Sequence, residues 1–150
     1  MNAMCPAPRR EIPLPNFSWA EGRCRCGCGM GLTDRMVLFL QALVFALARE
    51  LGGDIRCHIT GPARCPAHNK TEGGVGDSDH IGGNGADVWF SRDGKRIHPR
   101  DVGPIAIRTG LFGAVGYVKY QKPWKDANGK SRPATYHIHL GDRPGPTVTF

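Results

Sequence analysis

A chain of 150 residues has the length of one domain. Forty per cent apolar residues can build a core and exclude a wholly disordered chain. Twenty-one glycines and twelve prolines, roughly a fifth of the chain against a usual ~12 %, exclude an all-helical bundle and predict long ordered loops. The formal charge of +7 is scattered over Arg9-Arg10, Arg23 and Arg25, and residues 119–132. It forms no long basic tract, so it reads as a solvated basic surface and no specific nucleic acid is expected.

Residues 1–16 read as a flexible tail, because Pro6, Pro8, Pro13 and Pro15 interrupt any element. This stretch has Arg9 and Arg10 but no apolar core of a signal peptide, so synthesis in the cytoplasm is expected. Residues 17–150 are expected to form a single domain, acting as a monomer. Residues 17–31 are rich in glycine and cysteine and should be irregular. Thr33 is a good N-cap, and Met36, Phe39, Leu40, Leu43, Leu47 and Leu51 recur at three- and four-residue steps before Gly52-Gly53. This predicts one long helix over 33–51, with Val37, Val44 and Phe45 widening its apolar face towards a sheet. The longest apolar stretch, residues 36–47, is interrupted by Gln41 and is far short of the about 20 residues that cross a bilayer, so no membrane insertion is expected.

Downstream, strands are predicted over 55–60, 86–90, 114–120 and 136–140. A helical turn is expected near 67–70, a tight turn at Arg92-Asp93-Gly94-Lys95, and a short helix over 104–109 stopped by Gly110. Residues 122–133 should form a polar loop or hairpin tip. One long helix and short separated strands make the fold class α+β, with a small, mainly antiparallel sheet and a loop-rich N-terminal part.

The histidines carry the chemistry. His80 and Asp87 flank a segment with three glycines, which can turn tightly and bring two ligands to one point. In Tyr136-His137-Ile138-His139, alternation along a strand puts both imidazoles on one face. His80, Asp87 and one or both of His137 and His139 could therefore hold a zinc ion with one position open to water. Such an ion supplies a nucleophile near neutral pH and a Lewis acid, and an imidazole beside it titrates in the right range to move the proton. His58 and His68 read as structural and His98 as exposed. Asp77 and Asp79 read as solvated flanks. Ser78 reads as a loop-orienting residue, not a nucleophile.

Six cysteines without a signal peptide suggest reduced thiols or a metal site more than a disulfide framework. Cys24, Cys26 and Cys28 alternate and would share one side of an extended chain. With Cys57 or Cys65 they could form a structural metal site, although the spacing is not the C-x-x-C of zinc knuckles; buried thiols or a disulfide are the plainer readings. Trp19, Trp89 and Trp124 read as core or cleft-rim residues.

Ser78-x-His80-x-x-Gly83-x-Gly85-x-Asp87 resembles the S-x-H-x-x-G-x-A-x-D signature of the M15 zinc peptidases, which include D-alanyl-D-alanine carboxypeptidases and share a hedgehog/D,D-peptidase-like fold. Gly85 stands where the family has alanine, a small-for-small change. The segment from Thr60-Gly61 through Arg64-Cys65-Pro66-Ala67-His68-Asn69 is similar to the family's S-G-Y-R-C-P-x-H-N. The stretch from Phe17 to Gly29 and Gly110 to Tyr117 resemble one M15 subfamily. The resemblance covers about residues 17–140.

It implies that His80, Asp87 and His139 are zinc ligands, that His137 is the general base, and that Arg64, with Ser78, contacts the substrate. In the subfamily's alternative H-x-D register, His137 would be the ligand and His139 its support. An arginine so placed can steady a developing oxyanion or grip a terminal carboxylate. The implied activity is hydrolysis of peptidoglycan stem peptides or cross-links, by a carboxypeptidase or an endopeptidase. Small size, no signal peptide and no membrane span lead to the further expectation of a lysin of the phage or prophage type that reaches the cell wall after release. The contrasting expectation is a non-catalytic zinc-containing binding module.

Overall fold

The computed structural model describes residues 19–150; the expected tail over 1–16, Phe17, Ser18 and Cys5 lie outside the described residues. A 3-10 turn at Trp19–Gly22 leads through the cysteine-rich loop to the helix α1, Asp34–Leu51. Thr33 caps it, its hydroxyl accepting from the Met36 N–H at 3.1 Å. Met36, Val37, Leu40, Leu43, Val44 and Leu47 are buried. Phe45, expected on the packed face, is instead 61 % exposed. It sits one residue past Val44, about 100° around the helix and off the stripe.

Strand β1, Ile55–Gly61, precedes the short helix α2, Pro66–Thr71. Strands β2, Gly85–Arg92, and β3, Lys95–Arg96, form a hairpin over Asp93-Gly94. Both turn residues have positive φ, 50° and 81°, as the favoured two-residue hairpin turn requires. Helix α3, Pro99–Thr109, starts five residues before the sequence expectation. Its N-cap is His98, half-buried, whose Nδ1 accepts from the Arg100 N–H at 3.1 Å, so the expected exposed role is corrected. Pro99 occupies the first turn, where a missing N–H costs nothing, and Pro104 lies within the helix.

The strand expected over 114–120 stops early. Strand β4 is Ala114–Gly116, and Lys119–Gln121 forms a 3-10 turn. Strands β5, Trp124–Lys125, and β6, Ser131–Arg132, pair as the expected hairpin. Strand β7 is Ile138–Gly141, and β8, Val148–Thr149, ends the described chain. Tyr136 adopts φ 53°, which breaks the extended run and delays β7 by two residues.

The main sheet runs β1-β2-β7-β4-β8, with β3 on β2; every pairing is antiparallel except β4 with β8. The fold is therefore α+β with a mixed sheet. Strand alternation divides the sheet into two faces. Ile55, Cys57 and Ile59 of β1, Ala86, Val88 and Phe90 of β2, and Ile138 and Leu140 of β7 join α1 and α3 in one core. The intervening residues, among them His58, Asp87, Trp89 and His139, occupy the opposite face. His58 is structural there, stacked on Trp89 at 3.8 Å between ring centroids and hydrogen-bonded to the Ser91 hydroxyl at 2.8 Å. No helix among the described residues is long and apolar enough to cross a membrane.

Candidate metal centre

Asp87 and His139 face each other directly across β2 and β7, and Gly61 of β1 lies opposite Asp87 on its other side. Directly opposed residues in an antiparallel pair point to the same face. This brings Nδ1 of His139 to 2.9 Å from Oδ1 of Asp87. An added Cβ at Gly61 would collide with the Asp87 carboxylate, so the side chain lies over a position where only glycine leaves room.

His80 arrives from the loop before β2. Its backbone carbonyl accepts from the Arg64 N–H at 2.8 Å, and its own N–H donates to the Ser78 hydroxyl at 3.3 Å. The ring Nδ1 lies 2.9 Å from the Pro62 carbonyl. A carbonyl only accepts, so Nδ1 carries the hydrogen and Nε2 is the nitrogen turned to Asp87, 3.3 Å from Oδ2. Gly83 makes the loop's close approach possible. Its φ is 78°, its carbonyl accepts from the Thr33 N–H at 3.0 Å, and a Cβ there would lie 2.9 Å from Leu32 Cα.

One ligand atom each of His80, Asp87 and His139 lies within 4.8 Å of the others. Two imidazoles and one carboxylate are a donor set suited to a divalent transition ion. Each imidazole also has an acceptor on its far nitrogen, as metal-binding histidines usually do. For His80 this is Pro62. For His139 it is Asp79, whose Oδ2 is 2.9 Å from Nε2. Residues His80, Asp87 and His139 could thus hold a metal ion.

Asp79 corrects the expectation of a solvated flank. Its side chain is only 8 % exposed and also receives Nε of Arg143 at 3.1 Å. Gly85 and Gly141 make room for it; a Cβ at either would run into the Asp79 side chain. The glycine at 85 is therefore more than a small-for-small change, since an alanine there would displace Asp79. Asp77 is exposed, as expected.

The electrostatics follow the packing. Burial pushes the Asp87 carboxyl up, but the charge of His80 and the hydrogen bond from His139 outweigh it and hold it well below the usual range. Burial likewise opposes ionisation of Asp79, while hydrogen bonds from His139 and Arg143 bring it down to about 2. For His139 burial favours the neutral ring, yet the hydrogen bonds to Asp79 and Asp87 raise it to about 9.

His137 precedes β7 and lies against Tyr120, 3.9 Å between ring centroids. Its Nδ1 is 2.7 Å from the Thr135 hydroxyl and its Nε2 is 3.8 Å from Oδ1 of Asp87. Burial pushes this ring down despite the nearby Asp87. The two imidazoles of the H-x-H therefore both reach Asp87, but in different settings.

A cleft of about 690 Å³ lies over this centre. Arg64, Ser78, His80, Asp87 and His139 line it. Trp124, Arg132 and Pro133 of the β5–β6 hairpin border it, so the expected polar loop edges the cleft. Arg64 is half-buried and steered by Asn69, whose Oδ1 accepts from Nη1 at 3.2 Å while its amide nitrogen donates to the Val75 carbonyl at 2.9 Å. His68 braces α2 at its edge, 3.5 Å from Glu72. Asp79, Arg143, Thr135 and Asn69 were missed by sequence reasoning. Asn69 sat inside a quoted motif, and Asp79 at an unspecified position of another, between Ser78 and His80.

A family model described as Peptidase M15 matches residues 15–120, a span that includes Arg64, Ser78, His80 and Asp87 and ends before His137. No curated protein and no solved structure matches the chain. The match spans most of the sequence and takes in His80 and Asp87, two of the three residues of a centre whose side chains can hold a metal ion; the chain belongs to the Peptidase M15 family and is a metallopeptidase.

Proposed function

We propose that the chain is a zinc-dependent peptidoglycan peptidase, cleaving a bond of the stem peptide or cross-link that involves a D-amino acid. The observation that carries this reading is the convergence of His80, Asp87 and His139 on the floor of an open cleft with Arg64 on its wall. His80, Asp87 and His139 would hold the ion. Zinc, when bound, supplies a Lewis acid for the scissile carbonyl and a nucleophilic water near neutral pH.

The remaining work falls to side chains. Asp79 accepts from Nε2 of His139 and fixes that ring's orientation, while Arg143 holds Asp79. His137 is the general base. Thr135 engages its Nδ1, so Nε2 is the nitrogen on the Asp87 side, able to take a proton and return it to the leaving amine. Arg64, held by Asn69, offers a planar fork to the developing oxyanion or to a terminal carboxylate. Ser78 acts through His80, whose N–H it accepts, and borders the substrate.

The net charge of +7 suits a polyanionic wall. Action as a phage- or prophage-type lysin fits the small size. The β5–β6 hairpin is positioned to decide whether chain beyond the cleaved bond is admitted, and with it carboxypeptidase or endopeptidase action. Incubating the zinc-loaded protein with purified peptidoglycan and defined stem peptides, with mass analysis of products, tests the reading. Cleavage that is lost on chelation and in His80→Ala is expected. Tight zinc binding without cleavage of any wall chemistry would replace it with a binding module.

A further inference from the structure

We propose a second metal centre in this chain, a zinc ion held by the four thiolates of Cys24, Cys26, Cys28 and Cys65. Their sulfurs all lie within 4.8 Å of one another. Cys24 Sγ is 3.4 Å from Cys26 Sγ, which is 3.6 Å from Cys65 Sγ. A disulfide would need ~2.05 Å. A tetrahedron of sulfurs with Zn–S ≈ 2.3 Å has edges of roughly 3.8 Å, close to these separations.

The spacing is C-x-C-x-C, not C-x-x-C, and the backbone shows how it serves. Gly27 and Gly29 have φ of 81° and 87°, which curl the loop where a side chain would resist. The Cys24 N–H donates to the Met30 carbonyl at 2.7 Å and the Gly27 N–H to the Cys24 carbonyl at 3.3 Å, closing the turn. The three thiols therefore gather on one point instead of spreading along a strand. Cys65 supplies the fourth from the N-cap of α2. Cys57, the other downstream cysteine, is buried in the main core and takes no part.

Two backbone N–H groups already point at sulfur. Cys65 donates to Cys24 Sγ and His68 to Cys65 Sγ, each at 3.4 Å. Such bonds orient the sulfurs towards a common point. Cys24 and Cys65 are buried while Cys26 is exposed, and a cavity of about 370 Å³ lined by Cys26, Cys28, Cys65 and His68 gives an ion a way in. Zinc binding to four thiols releases their protons to solvent. The ion would pin the 24–30 loop to α2. Cys65 adjoins Arg64, whose N–H donates to the His80 carbonyl, so the clamp is a positioning device for the cleft.

The test uses the full chain carrying His80→Ala and His139→Ala, purified under reductant, so that metal retained is not at the histidine–carboxylate centre. Metal analysis should find about one zinc per chain. Replacement by cobalt(II) should give the intense near-ultraviolet thiolate-to-cobalt charge-transfer band of tetrahedral sulfur ligation. Cys26→Ser, at an exposed position, should keep the circular dichroism spectrum but lower metal affinity at least about tenfold and weaken the band. Cys57→Ala should leave both unchanged. A metal-free double variant that shows no such band on cobalt addition overturns the proposal, as does an intact mass showing two disulfides. These readouts do not involve hydrolysis, so they stand or fall apart from the peptidase reading.

Discussion

Asp79 binds no substrate in the proposed chemistry, yet the geometry makes it the residue on which His139 depends. It joins Arg143 to the ring nitrogen that points away from Asp87. Asp79→Asn keeps the shape and removes the charge, and is expected to weaken zinc at the His80–Asp87–His139 centre about 10–100-fold, read by competition with a chromophoric chelator. Gly85→Ala should weaken it in the same assay, because its Cβ occupies the space of Asp79. Arg64→Ala should lower kcat/KM towards a wall peptide by about 10²-fold, or ~3 kcal/mol of transition-state stabilisation, with zinc content unchanged. An equal loss in zinc content would show that the Arg64 side chain acts by seating the His80 loop and not on the substrate, since the variant keeps the backbone N–H that bonds His80. His80, Asp87 and the H-x-H were legible in the sequence because glycine-rich spacing and strand alternation say where such side chains point. Asp79 was not legible. An acidic residue beside a motif looks the same whether solvated or buried, and its partners Arg143 and His139 lie over 50 residues away.

At the level of elements, the start of α1 and the His80 loop are one structural unit. Thr33 caps the helix with its hydroxyl and gives its backbone N–H to the Gly83 carbonyl. Thr33→Ala should cost about 1 kcal/mol in denaturant unfolding, with the loop's backbone bond retained. Gly83→Ala should cost more, because a residue at φ 78° meets both backbone strain and the close approach of Leu32. The two variants separate capping from loop seating if zinc affinity falls only in the second. The sequence located α1 well, since Thr33, the apolar stripe and Gly52 all agree. It did less well after residue 97. Pro104 looked like a helix start, but His98 and Pro99 had already begun the helix. The run from 114 to 120 looked like a strand, but pairing partners cover only Ala114–Gly116 of it. A strand ends where its neighbours end, and that is a property of tertiary pairing, not of the strand's own residues.

For the whole molecule, the charge of +7 would, in the proposed wall peptidase, assist capture of a polyanionic substrate. Rates on intact wall should fall as salt rises from low to about 0.15 M, where the screening length is about 8 Å, while rates on a short neutral stem peptide should change little. Parallel assays of both substrates across that range provide the comparison; equal salt dependence would mean that surface charge plays no part in wall capture. The α+β class and the mainly antiparallel sheet were readable from composition and element order. The sheet order β1-β2-β7-β4-β8 was not, because it depends on a late strand inserting between two earlier ones.

That insertion has a consequence for how the protein matures. Asp87 and His139 belong to strands distant in sequence and meet only in the register that sets them opposite each other. A slip of one residue would turn His139 to the apolar face and Ile138 to the cleft. A metal ion with His80, Asp87 and His139 as ligands would bind the aligned chain and not the slipped one, and would draw the population towards the aligned state by mass action. Zinc would then act as a proofreader of strand alignment before it acts on any substrate. Chains refolded with the metal should reach the native sheet in higher yield than chains refolded without it.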